Sequence, residues 1–286
     1  MSTLRTSRRI VAAAISAATL LSPVLAQEAL ATGDGDSGLL VESTGDQSNA
    51  IMLPPAAVVG QSAVSVTTFD LSITATGVQV DLAIRLDMTS EVTELTAEGG
   101  YVAVTAIDKV ELTQVPPGID VSTLGYDALT GVRFQQTVDA SGKTLSTELL
   151  NAESLTDAAR AAAEGFTGNL QSAQFVYPSE PVGLGAKWTA ELEVATEGFA
   201  VPATYTYEIT DIADGRYTIA VAYDSTFDTT IEGQAATGTV TGLGTVVGSV
   251  DNPLAISVTL GQTIDATSGG VAVSVIVGID VQAAAR

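Results

Sequence analysis

Val78, Val80, Leu82, Ile84, Leu86 and Met88 are apolar and alternate with Gln79, Asp81, Ala83, Arg85, Asp87 and Thr89. Successive side chains of a strand point to opposite faces, so a period of two makes one apolar and one polar face. The pattern returns in Val201, Ala203, Tyr205, Tyr207 and Ile209, then in Tyr217, Ile219, Val221 and Tyr223. It returns twice more, in Leu254, Ile256, Val258 and Leu260 and in the odd-numbered run Val271 to Val281. Tight-turn signals separate these runs: Gly77, Gly99-Gly100, Pro116-Pro117-Gly118, Asp214-Gly215 and Gly269-Gly270. Residues 132–149 read as a hairpin around Asp139-Ala-Ser-Gly142. Val64 and Val66 are out of phase with Phe69, Leu71 and Ile73, which predicts a bulge near Thr67-Thr68. About ten strands in long hairpins make a mainly β fold, a large curved antiparallel sheet or open half-barrel.

One helical pattern interrupts the strands. Ser154 reads as its N-cap, with Asp157 three residues on, and Leu155, Ala159, Ala162, Phe166 and Leu170 form one stripe at helical spacing. The helix is expected to pack against the sheet. It runs into Tyr177-Pro-Ser-Glu-Pro-Val-Gly-Leu-Gly-Ala-Lys-Trp188, which holds the chain's one tryptophan. Pro181, Val182 and Gly185 suit a turn that feeds a strand, and Trp188 at that strand's start suits a core plug with its N–H bonded to a carbonyl. If the helix stripe and the tryptophan instead face a cavity, Leu155, Ala162, Phe166 and Trp188 are the residues that would touch an apolar ligand. Each half carries a late Gly-rich hairpin, Gly131 to Asp139 and Gly242 to Asp251, which is a hint of an internal repeat.

Composition excludes more than it assigns. The chain has no cysteine and no histidine, which removes disulfides, thiol nucleophiles, the Ser-His-Asp triad and histidine or thiolate metal sites. Asp34-x-Asp36-x-Gly38 has only part of a calcium loop, and no metal or cofactor is expected. The net charge of −22 opposes nucleic acid and anionic lipid surfaces, where Lys and Arg supply the affinity. Carboxylates such as Glu191/Glu193 and Asp211/Asp214 fit a solvated strand face and a hairpin turn, and aromatic platforms for sugars are few. No catalytic residues are assigned, and the expected protein is not an enzyme. A carboxylate-based hydrolase stands as the remote alternative.

Residues 1–26 read as an export signal: Arg5, Arg8 and Arg9 precede the apolar run Ile10 to Leu21, and Val24-Leu25-Ala26 offers a cleavage site. Ser7-Arg8-Arg9-Ile10-Val11 resembles the twin-arginine motif in part, so both that route and general secretion are open. Residues 27–57 read as a flexible acidic linker. Residues 58–284 read as a single β-rich domain, its two strand-rich halves joined at 154–188. The mature chain is expected to have no membrane span and to be soluble, either secreted or in the cell envelope.

Pro181-Val182-x-x-Gly185-x-x-Trp188, after a helix and before strands, resembles a family of uncharacterised exported bacterial proteins and lipoproteins. A turn like Asp139-Ala-Ser-Gly142-Lys-Thr-Leu also recurs there ahead of the helix. The resemblance covers Ser62 to the C-terminus and departs from the lipoprotein members in lacking an anchoring cysteine. It implies location and fold and no activity. A curved sheet with a helix on its concave face is similar to lipid carriers, which makes an apolar small molecule or lipid the expected ligand, with partners otherwise unknown. A surface or interaction module with a filled core is the alternative.

Overall fold

A computed structural model describes residues 38–116, 126–157, 159–160, 162–164, 175–196, 199–231, 234–268 and 270–286. The expected signal, and residues 27–37 of the expected linker, lie outside the described residues. Among the described residues the chain order is β1 Leu40–Ser43, β2 Asp46–Ile51, β3 Ser62–Ala75, β4 Val78–Leu95, β5 Tyr101–Gln114, β6 Arg133–Val138 and β7 Thr144–Leu149. The second half continues with β8 Val182–Leu184, β9 Lys187–Thr196, β10 Phe199–Ala213, β11 Arg216–Ile231, β12 Gln234–Ser249, β13 Ile256–Ser268 and β14 Val271–Ala285. The fold is mainly β, as the alternation requires. A 12-stranded sheet runs β1-β9-β10-β11-β12-β13-β14-β3-β4-β5-β6-β7, and β2 pairs with β8 in a separate two-stranded sheet.

Each half is a meander of neighbouring hairpins, and β14 joins them by pairing antiparallel along β3, from Val273↔Ala75 to Ala285↔Ala63. The large sheet is not closed, with β1 and β7 as its edges. It is nevertheless rolled. β5 and β11 lie six ladder steps apart, roughly 29 Å in a flat sheet. Yet the phenol of Tyr101 on β5 feels that of Tyr217 on β11. In addition, Tyr177, packed in the β9–β12 core, donates its backbone N–H to the Ser141 carbonyl at the β6–β7 turn (3.3 Å). The apolar face is therefore the concave one. Strand twist, accumulated over this many strands, favours such curling over a flat sheet.

The concave face holds two large cores. Leu71, Ile73, Leu82, Ile84, Leu86, Ile107 and Phe134 fill one from β3–β6, and Trp188, Tyr207, Ile209, Tyr217 and Ile219 fill the other from β9–β11. Asp139 organises the β6–β7 turn: its Oδ1 accepts hydrogen bonds from the Ser141 N–H and hydroxyl and from the Lys143 N–H. Asp214 and Gly215 both have positive φ, as a two-residue hairpin turn demands.

Three expectations need correction. The linker reading fails from residue 38 onward, because β1 pairs with β9 through Leu40↔Thr189 and Val41↔Trp188, and β2 pairs with β8. Low apolar content does not prevent pairing when a neighbouring strand offers free backbone groups. No bulge interrupts β3: its register is unbroken against both β4 and β14. Instead Thr67 faces the core, and Val64 faces out at 41% exposure. Two continuous ladders hold β3 in phase at the cost of one buried threonine. The helix also starts later. Thr156 Oγ1 accepts the Ala159 N–H at 3.2 Å and its carbonyl accepts the Arg160 N–H, whereas Ser154 ends a short 3-10 turn, Ala152–Ser154. Helical backbone is described at residues 157, 159–160 and 162–164.

Candidate ligand site on the concave face

Pro181 to Trp188 makes the junction between the halves. Gly185 has φ of +77°, its N–H donates to the Ile209 carbonyl, and the Ile209 N–H donates back to the Ala186 carbonyl, both at 2.9 Å. The β10–β11 ladder shifts register between Ile209 and Asp211. The bulge lets Ile209 engage the Gly185-Ala186 turn while Ile212 still packs on the core. A side chain at Gly183 would strike the Asp46 backbone, so only glycine lets β8 approach β2 so closely. Val182 is buried beside it.

Trp188 is wholly enclosed (0% exposed), and its indole N–H donates to the Val176 carbonyl at 2.9 Å. Its cross-strand partner is Tyr207, whose ring stacks on it with centroids 5.3 Å apart. Tyr205 stacks in the same way on its partner Tyr223 at 4.4 Å. On the next strand the partners of the aromatic residues are glycines: Tyr217↔Gly248, Tyr223↔Gly242 and Phe227↔Gly238. In each pair the ring lies where a glycine Cβ would be. Rings laid flat over glycines cover bare backbone that would otherwise weaken β12. Gly242 to Asp251, expected as a Gly-rich hairpin, is for the most part the end of this strand.

Burial pushes every one of these phenols toward the neutral form. Tyr101 and Tyr205 are raised to about 12, and Tyr177, Tyr207, Tyr217 and Tyr223 are raised as well, desolvation leading in each case. Among the described residues, no group of three or more acidic side chains could hold a metal ion. The three ion pairs described, Arg85–Asp87, Lys109–Glu111 and Lys187–Glu208, are on the surface.

Where the β3–β6 core meets a smaller buried cluster of Ala203, Tyr223, Phe227, Ala236 and Val240, the packing is looser. Leu260 and Ile264 of β13 pair with Ile279 and Val275 of β14, and all four are only half-buried. Gln262 stands between the first two, opposite Gly242 and Val277, also half-buried. From β12, Gly242 and Gly244 stand opposite Gln262 and Leu260, whereas the fully buried Val240 stands opposite Ile264. This strip is the candidate site.

The residues expected to touch a ligand do not converge. Leu155 and Ala162 pack on the β3–β6 core and Trp188 belongs to the β9–β12 core, while Phe166 lies outside the described residues. The sequence reading recognised the apolar faces of β13 and β14 but did not single out this strip. Its signal is the alternate glycines of β12, Gly238, Gly242, Gly244 and Gly248.

Residues 158–252 match a family described as a family of unknown function (DUF6263). The matched stretch contains the junction, Trp188 and the ring-over-glycine pairs. No curated protein matches the chain. Among solved structures, it is similar to Ail, the attachment invasion locus protein of Yersinia pestis, crystallised with the heparin analogue sucrose octasulfate. That alignment has 10% identity and a TM-score of 0.15, covering 79% of this chain and 100% of Ail. A Nitrosomonas europaea protein provisionally assigned as AttH aligns at 13% identity and a TM-score of 0.16, covering 82% of this chain and 98% of that one. Among the described residues, no helix is long and apolar enough to cross a membrane.

Proposed function

We propose that the protein is a non-enzymatic exported carrier that holds an apolar small molecule or lipid against the concave face of its sheet. One observation supports this reading above the others: Leu260, Ile264, Val275 and Ile279 stay half-buried, the first two beside the Tyr223–Phe227–Val240 cluster and the last two beside the β3–β6 core. Apolar area left reachable by water carries a favourable transfer free energy, about 25 cal/mol per Å², that a ligand can collect. Gln262 gives the strip one neutral donor and acceptor for orientation. The leader-like residues 1–26 support export.

Native mass spectrometry of the purified mature protein tests the carrier. A co-purifying lipid-sized mass, or saturable binding of an apolar dye that Ile264→Lys abolishes while the melting transition stays cooperative, supports it. A bare polypeptide mass with no saturable dye site sinks it. A second reading, an interaction module, has its own support: β7 is a sheet edge and carries Leu145 at 60% exposure. In the same spectra, a multimer that Leu145→Lys dissolves would favour that reading.

A further inference from the structure

The half-buried strip has a polar centre. A Cβ added at Gly242 would lie 2.6 Å from the Tyr223 hydroxyl, so that group reaches from β11 across β12. Gln262 of β13 stands directly opposite Gly242, and paired Cβ positions on neighbouring strands are about 5 Å apart. The phenol and the amide therefore stand side by side on the concave face. Among the described residues neither group has a hydrogen-bond partner. Their surroundings carry no charge. Along β11 to β14 and β3, the residues that share this face with Gln262 include no Asp, Glu, Lys or Arg. Asp70, Asp224, Asp228, Asp265 and Asp280 all take the opposite face. An ionised head placed here would find no counter-charge, and desolvating a lone charge is costly. A bare hydrocarbon would leave the phenol and the amide unpaired.

We propose, resting on the reading of this strip as the ligand site, that Tyr223 and Gln262 select an uncharged, hydroxyl-bearing amphiphile over an ionised one. The phenol and the amide each donate and accept, and a hydroxyl head does the same. It can accept a hydrogen bond from one of them and donate to the other. The apolar chain then lies along Leu260, Ile264, Val275 and Ile279. Burial raises the Tyr223 phenol above its ordinary value, so it remains a donor at neutral pH.

The test is displacement of a bound apolar dye from the purified mature protein at neutral pH, with decanol and decanoate as chain-matched probes. Gln262→Leu and Tyr223→Phe are measured alongside, and each keeps the bulk that the packing uses. Decanol should displace the dye at a concentration about tenfold or more below that of decanoate. Each substitution should weaken decanol about two- to tenfold while dye affinity and cooperative melting stay as in the parent. Decanoate binding as tightly as decanol would overturn the proposal and leave the carrier reading standing. So would a preference for decanol that neither substitution moves. If neither the dye nor decanol binds saturably, the carrier reading itself falls, and the ligand class falls with it.

Discussion

The two halves of the sheet build their cores in opposite ways. In the β3–β6 half, aliphatic side chains from facing positions fill the space: Leu71, Leu82, Ile84, Leu86 and Ile107. In the β9–β12 half, large rings lie across a strand whose inward positions are largely glycine. The first arrangement is hurt by removing atoms and the second by adding them. The halves also differ in polarity, since buried Thr67 and Thr105 bring the first half only small hydroxyls, whereas the aromatic core carries several phenols.

The largest effect is expected at the ring that anchors the aromatic half. Trp188→Ala should lower stability by about 3–5 kcal/mol in chemical denaturation, as other truncations of buried aromatics do. It also strands the Val176 carbonyl without its indole donor. A smaller loss would mean that the aromatic half can collapse around the gap, and the contrast with the aliphatic half would weaken.

Next comes the opposite kind of change. Gly248→Ala sets a methyl group into the Tyr217 ring and should cost about 1–3 kcal/mol. Gly261→Ala on β13, whose Cβ would meet nothing closer than a carbonyl 4.0 Å away, is the control and should be neutral or slightly stabilising. Combining Gly248→Ala with Tyr217→Ala should recover part of the first loss. Equal costs at both glycines would break the ring-over-glycine account.

The smallest effect concerns alkaline pH. An acid group whose folded pKa is raised binds its proton more tightly when folded, so its contribution is complete below the unfolded value near 10. Stability should be level through neutral pH and fall as pH rises from about 10 toward and beyond about 12, where Tyr101 and Tyr205 ionise in the folded state. Tyrosinate absorbance should therefore appear together with unfolding. Early, independent ionisation with the fold intact would show that these phenols see water.

Much of the sheet was legible because alternation is a local signal. Val78 to Met88 and Tyr217 to Tyr223 carry their strand assignment in the order of their own residues. The Asp139 and Asp214-Gly215 turns are equally local. The misreadings share a cause, which is that distant partners decided them. Gly242 and Gly248 look like turn residues until Tyr223 and Tyr217 are seen lying across them. Thr67 looks like a slip in phase until β4 and β14 are seen holding it inward. Residues 40–51 look like a linker until β9 and β8 supply their backbone bonds. The half-buried strip was hidden for the same reason, since its exposure depends on what β12 fails to contribute.

The seam between β14 and β3 has a consequence for the order of events in folding. Its ladder joins residues near position 280 to residues near position 70, and the Arg286 N–H donates to the Ser62 carbonyl. Each half can form its hairpins early, but β3 must wait with one side unpaired until the last strand has been made. Pairings this far apart along the chain form slowly, and a waiting strand edge invites association with another chain. Assembly is thus gated by the final fifteen-residue strand, and a chaperone that shields β3 during that interval would act where the unfinished molecule is most exposed.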